Sequence, residues 1–108
     1  MTDVTIIFVT AGSEDEAMTI GRKLVEERLV ACVSVIPRIR SIYWWKDEIC
    51  NADEYLMVMK TRSTLFPSIQ ARVRELHSYE VPEIIGLRVE NGLPDYLSWV
   101  LGNTGLDL

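Results

Sequence analysis

No run of 18 apolar residues occurs in this chain, and no basic leader precedes an apolar segment, so neither a membrane-spanning helix nor a signal peptide is expected. Met1-Thr2-Asp3 leads directly into a short β-like segment, which points to a cytoplasmic protein or the mature part of a processed one. Cysteine is scarce. Cys32 and Cys50 stand 18 positions apart and match no zinc spacing; they are expected as unlinked thiols, with Cys32 buried as a small apolar residue. Gly12 and Gly86 belong to no phosphate-binding loop, since neither GxGxxG nor GxxxxGK[ST] is present. There is also no GxSxG and no cysteine with a base in its sequence context, so nucleophilic catalysis has no support. Basic residues are outnumbered, 11 Lys and Arg against 16 Asp and Glu, and the net charge of −5 argues against nucleic acid or an anionic membrane as the main partner. Arg38 and Arg40 are the one basic pair in the central strand, and salt bridges across strands or subunits are the simplest use for them. Repeats, linkers and low-complexity segments are missing as well. Residues 1–108 form one domain, large enough for a core without staples.

What the chain has instead is a long β-like stretch, Leu29 to Trp45, LVACVSVIPRIRSIYWW. β-Branched and aromatic residues dominate it. As one extended segment, Val30 to Trp45 would measure about 50 Å. A compact domain of this size is only about 34 Å across. The strand therefore either folds sharply over on itself or overruns its own domain. In the second case it presents Ile42, Tyr43, Trp44 and Trp45 to water, a surface that calls for a partner and points to an oligomer. Pro37 removes one ladder donor and predicts a bulge or bend.

The remaining elements follow in order. Val4 to Thr10 is a buried strand. Ser13-Glu14-Asp15-Glu16 is a capping box, with Ser13 accepting from the Glu16 amide and Glu16 reaching back to Ser13. Ala17, Ile20, Leu24 and Val25 form the apolar face of a helix ending near Arg28. A strand, helix, strand unit prefers parallel strands. Lys46 to Asp53 reads as a polar turn, and Glu54 to Thr61 as the hairpin partner of the central strand. Ser63 or Thr64 caps a second helix that tolerates Pro67 in its first turn and buries Leu65, Phe66, Ile69, Val73 and Leu76. His77 to Pro82 is a loop, Glu83 to Glu90 a fourth strand, and Pro94 opens a short third helix. The tail, residues 102–108, is expected to fray or to dock on a neighbour. This order is an α+β ferredoxin-like sandwich, βαββαβ plus a C-terminal helix, whose open sheet face is most simply covered by subunit association.

LVACVSVIPRIRSIYWW, EYLMVMKT and HSYEVPEIIGLRVENGLPDYLSWV resemble the CutA divalent-cation tolerance family across nearly the whole chain. The resemblance implies a ferredoxin-like homotrimer in which long hairpins from three subunits pack together. It implies binding of copper or other divalent cations, a kinship with trimeric PII-type signalling proteins, and no catalysed reaction. Copper-binding bacterial members carry a cysteine near the end of the first strand and two adjacent histidines before a Pro-Tyr step. Here Val9, Leu76 and Ser78 occupy the cysteine, first-histidine and proline positions, and His77 alone is kept.

Candidate site residues follow from these readings. His77 with Glu80 or Glu83 would form a hard, weak set for copper or zinc. The competing uses are a helix cap for His77 and solvation or ion pairing for the two carboxylates. Tyr43, Trp45, Lys60 and Tyr79 line a ligand cleft. Ile42 and Trp44 anchor an oligomer interface. Lys60 is expected to face the same cleft as Tyr79 and Glu83, with a structural ion pair as the alternative. Tyr96, Leu97 and Trp99 read as core or interface packing. Three functions stay open: a homotrimeric, weakly metal-binding protein that captures an ion or small ligand at intersubunit clefts; a small-substrate enzyme with His77 and Glu83 as acid and base; and a stable protein-binding scaffold.

Overall fold

A computed structural model describes residues 1–105. The order is β1 (Val4–Ala11), α1 (Glu14–Glu26), β2 (Cys32–Trp45), β3 (Glu48–Arg62), a 3-10 turn (Ser63–Leu65), α2 (Phe66–Leu76), β4 (Ile84–Arg88) and α3 (Pro94–Gly102). The four strands form one antiparallel sheet in the order β2-β3-β1-β4. β1 and β2 do point the same way, as a strand, helix, strand unit requires, but β3 lies between them. The hairpin supplies the intervening strand.

Alternation in β1 and β3 builds the core. Ile7 and Val9 pair with Met59 and Met57, and all four are fully buried. Ala17, Ile20 and Leu24 of α1 and Ile69 and Val73 of α2 close over that face. Val25, expected inside, points outward. Arg72 of α2 grips both Glu27 carboxylate oxygens, at 2.8 and 2.9 Å, and ties the end of α1 to α2.

Ser13 caps α1 by accepting from the Glu16 amide at 3.1 Å. The reciprocal half of the box is not made, because the Glu16 carboxylate turns to the amide of Ser78 at 2.7 Å. No side-chain cap closes α2. Ser63 shares a hydrogen bond with Thr5 instead, and the 3-10 turn ahead of Pro67 carries the chain into the helix.

The hairpin differs most from expectation. Only Lys46 and Asp47 form the turn, both with positive φ (50° and 65°), the signature of a tight two-residue connection with the twist of the strands. Glu48 to Asp53, expected as a polar turn, are strand. Between Ile36↔Leu56 and Ile39↔Glu54 the register slips by one, with Arg38 at φ 58°. That bulge falls at Pro37, as expected, and it flips the alternation of β2. Ile39, Ser41, Tyr43 and Trp45 consequently share a face with Cys32, Ser34 and Ile36. An unbroken strand would have put them on the other side.

β1 pairs with β3 only from Tyr55 onward. From Ile39↔Glu54 to Trp45↔Glu48 the hairpin is therefore a bare two-stranded ribbon, and the molecule measures 44 × 27 × 22 Å. Arg40 pairs across it with Asp53 at 3.0 Å, the cross-strand bridge expected of the basic pair. The expected tail falls partly on residues 106–108, outside the described residues.

Candidate functional site

A cleft of about 760 Å³ lies where the ribbon leaves the body. The ribbon supplies Tyr43 and Trp45, which the bulge turns to that side, and β3 supplies Glu54. The loop after α2 supplies Tyr79, Glu80 and Glu83. Ile42 and Trp44 border it but belong to the opposite face of the ribbon, with Arg40. Ile42 and Trp44 are 74% and 72% exposed, and Ile49, the register partner of Trp44, is 66% exposed. That is an apolar patch of the kind that marks an interaction surface.

The loop is held by a chain of polar contacts. The buried His77 ring has its Nε2 2.7 Å from the Thr10 carbonyl, and its Nδ1 accepts from the Tyr79 amide at 3.1 Å. With Nδ1 accepting, the proton resides on Nε2 and the ring is neutral. Glu16 lies 3.9 Å from Nδ1. Burial pushes the Glu16 carboxyl up, but hydrogen bonds from Ser78 and from the Gly12 amide outweigh it and hold the group below its ordinary value of 4.5.

Tyr79 then extends into the cleft and donates to Glu54 Oε2 at 2.8 Å. Gly12 makes room for it: a Cβ there would come 3.2 Å from the Tyr79 hydroxyl. Burial, followed by the bond to Glu54, raises the phenol far above its usual range, so Tyr79 stays a donor. Glu54 is only 7% exposed, yet Oε1 accepts no hydrogen bond among the described residues. Every sealed-off side-chain nitrogen and oxygen there has a partner, so Oε1 opens to the cleft. Burial and then the charge of Glu54 also raise Glu83. Lys46 lies 5.6 Å above the Trp45 ring and 3.9 Å from Glu80, beside this negative site.

These positions correct several expectations. His77 does not join Glu80 and Glu83 as a ligand set, because both ring nitrogens are engaged in bracing the loop. Among the described residues no group of three His, Cys, Asp or Glu is placed to hold a metal ion. Lys60 does not face the cleft. Its register partners are Ile6 and Cys32, six residues along β3 from Glu54, or about 20 Å. It makes no ion pair among the described residues either. Cys32 is half-buried, 3.7 Å from the Tyr96 hydroxyl. Tyr96 and Trp99 stack on each other at 5.6 Å and stay largely exposed, so they do not serve as core. Glu54 and Glu16 were missed. Glu54 carried a signal, since it shares its alternation with Leu56 and Val58, and a carboxylate on an apolar face must find a donor.

Comparison with known proteins places the chain. Residues 5–103 match the family model of the CutA1 divalent ion tolerance protein. The divalent-cation tolerance protein CutA of Thermus thermophilus is 44% identical over 100 residues, covering 93% of this chain and 97% of that protein. Mouse protein CutA is 50% identical over 97 residues, 90% of this chain, and the chain spans 55% of its length. Among solved structures, CutA1 from Oryza sativa superposes with a TM-score of 0.94 at 30% identity, covering 98% of this chain and 97% of that one. A structure described as the periplasmic CutA of Archaeoglobus fulgidus gives 0.87 at 39% identity, covering 90% and 94%. The chain belongs to the CutA1 family.

Proposed function

From that membership we propose that the protein is a homotrimeric, non-catalytic cation-binding protein of divalent-ion tolerance, with its working sites in the clefts at the base of the ribbon. One observation carries this reading: the seven-pair ribbon from Ile39↔Glu54 to Trp45↔Glu48 has no core of its own. A lone two-stranded hairpin is marginal in water, and this one also exposes Ile42, Trp44 and Ile49. Packing copies of the ribbon together removes both costs and walls the cleft with a neighbour. The strand order β2-β3-β1-β4, with α1 and α2 covering one face, supports the ferredoxin-like description of the protomer. The half-open opposite face, with Ile85, Leu87 and Trp99 exposed, suits the same assembly.

Copper as a soft Cys/His complex does not fit the residues present. The cleft offers carboxylate oxygens, hard donors that can capture an ion such as Zn²⁺ weakly, with no three of them placed to retain it as a cofactor among the described residues. Capture at a seam between copies can couple occupancy to the trimer surface, as in PII-type regulators. The sealed His77 ring favours this over acid–base chemistry with Glu83. No helix among the described residues is long and apolar enough to cross a membrane. The two free thiols suit the cytoplasm as the proposed location.

Sedimentation at low micromolar concentration tests the assembly, and a lone 12.3 kDa species would refute it. Calorimetric titration with Zn²⁺ tests the cleft. Heats unchanged by both Glu54→Gln and Glu83→Gln would take the metal out of it.

A further inference from the structure

The cleft is lined for a cation, and its walls offer more than the few carboxylates that capture a metal ion weakly. Tyr43, Trp45 and Tyr79 give it aromatic surface, and its volume of about 760 Å³ lies in the range of sites that enclose a small organic molecule. A bare divalent ion seeks four or more close ligand atoms and gains little from rings. A diffuse alkylammonium charge gains from both ring faces and carboxylates. Two separate observations point to such a ligand. Glu54, more than nine-tenths buried, turns its unpartnered Oε1 into the cleft. The chain has also parked an ammonium of its own at the rim, where Lys46 lies over the Trp45 ring and reaches toward Glu80.

We propose that the cleft binds a small organic cation of the alkylammonium class, with its charge against Glu54 and Glu83, its carbon skeleton on Tyr43 and Trp45, and Lys46 as the resident competitor. The proposal rests on the reading of the cleft as the ligand site and adds the class of ligand. Direct pairing with Glu54 requires the ligand to lie beside Tyr79 without displacing its hydroxyl, since that bond uses the other oxygen. Glu83, whose carboxyl burial pushes up, gains a counter-charge when the ligand enters.

Calorimetry on the whole oligomer tests this with choline and its uncharged carbon analogue 3,3-dimethylbutan-1-ol, which have the same shape and differ in charge. Choline is expected to bind roughly tenfold tighter than the alcohol. Glu54→Gln keeps the volume and the bond from Tyr79, and it should reduce that preference several-fold, since Glu83 alone is left to meet the charge. Lys46→Asn suits the positive φ of the turn and removes the competitor, so it should tighten choline several-fold. Equal binding of choline and the alcohol would overturn the proposal. So would an unchanged preference in Glu54→Gln. Should Glu54→Gln fail to assemble, Lys46→Asn carries the test, and no gain in choline affinity is a refutation. Zn²⁺ binding lost in Glu54→Gln or Glu83→Gln, without choline binding, would refute the ligand class and leave the cleft standing. Silence toward both choline and Zn²⁺ would remove the cleft reading as well.

Discussion

Two kinds of β-structure share β2 and β3. Within the body, the ladder from Tyr55 onward is flanked by β1 and β2 and roofed by α1 and α2, so Met57 and Met59 reach no solvent at all. Beyond Glu54 the same two strands continue with no third strand and no roof, and Trp44 and Ile42 are more than 70% exposed. The hydrogen bonding of the two regions is alike, and what differs is the source of burial. The body satisfies itself, while the ribbon leaves Ile42, Trp44 and Ile49 open. In the proposed assembly, folding stability would sit in one place and association energy in another, so the two could be perturbed separately.

The largest effect should come from opening the body. Ile7 lies on the central strand β1, fully buried between β3 and β4. Ile7→Ala should lower unfolding stability by about 2–5 kcal/mol, the loss of buried methyl groups plus the void they leave. Denaturant titration would measure it, and a cost below about 1 kcal/mol would mean that the core collapses readily around the gap.

The complementary substitution is on the ribbon. Trp44→Ala removes an exposed ring whose cross-strand partner, Ile49, is exposed too, so an isolated protomer loses little. In an assembly the loss of such an anchor is about 2 kcal/mol or more per subunit interface. Sedimentation should show dissociation at concentrations where the parent protein is intact. If Trp44→Ala instead destabilised an isolated protomer as much as Ile7→Ala does, body and ribbon would not be separable.

Between the two regions runs the loop that carries Tyr79, and Glu16 is its tie. Glu16→Gln weakens a charge-assisted bond to the Ser78 amide and should cost about 1–2 kcal/mol at neutral pH. The sign of its pH dependence is fixed. A carboxyl held below 4.5 in the fold contributes stability that is fully present above 4.5 and is lost as pH falls through its folded value. Parent and variant should therefore converge in acid. Curves that stay parallel down to strongly acid pH would show that Glu16 acts by shape alone.

How far the sequence speaks follows the same division. The helices are legible because each has one buried side, which writes a period into the residues, and β1 because an inner strand largely covered on both faces is a continuous apolar run. The ribbon has no buried side of its own. Glu48 to Asp53 consequently show no alternation and read as a turn although they are strand. Pro37 announces the bulge but not its consequence, since only the register shows that Tyr43 and Trp45 change faces. The role of His77 is the least legible. Its partners are Thr10, 67 positions back, and the Tyr79 amide, and neither leaves a trace in the residues around it. A lone histidine beside two glutamates suggests a metal site, and the fold spends it on bracing a loop.

The smallest effect is also the sharpest test of that loop, because Glu83 should respond to pH with the opposite sign from Glu16. Burial, and then the charge of Glu54, raise its carboxyl above 4.5, so the fold resists the ionised form. Near neutral pH the group is a slight burden on the protomer. That burden is lifted as pH falls through its raised folded value toward 4.5. Glu83→Gln should raise stability at neutral pH, by no more than about 0.5 kcal/mol for so exposed a position, and the gain should vanish in acid. Where Glu16→Gln loses an asset, Glu83→Gln sheds a cost, and only a cation in the cleft would reverse the second effect. Adding choline should turn the gain of Glu83→Gln into a loss, because the ligand needs the charge that the empty fold resists. Thermal unfolding of parent and variant, with and without choline, would show the crossing. A gain that persists in choline would mean that Glu83 lies in the wall of the cleft without meeting what binds there.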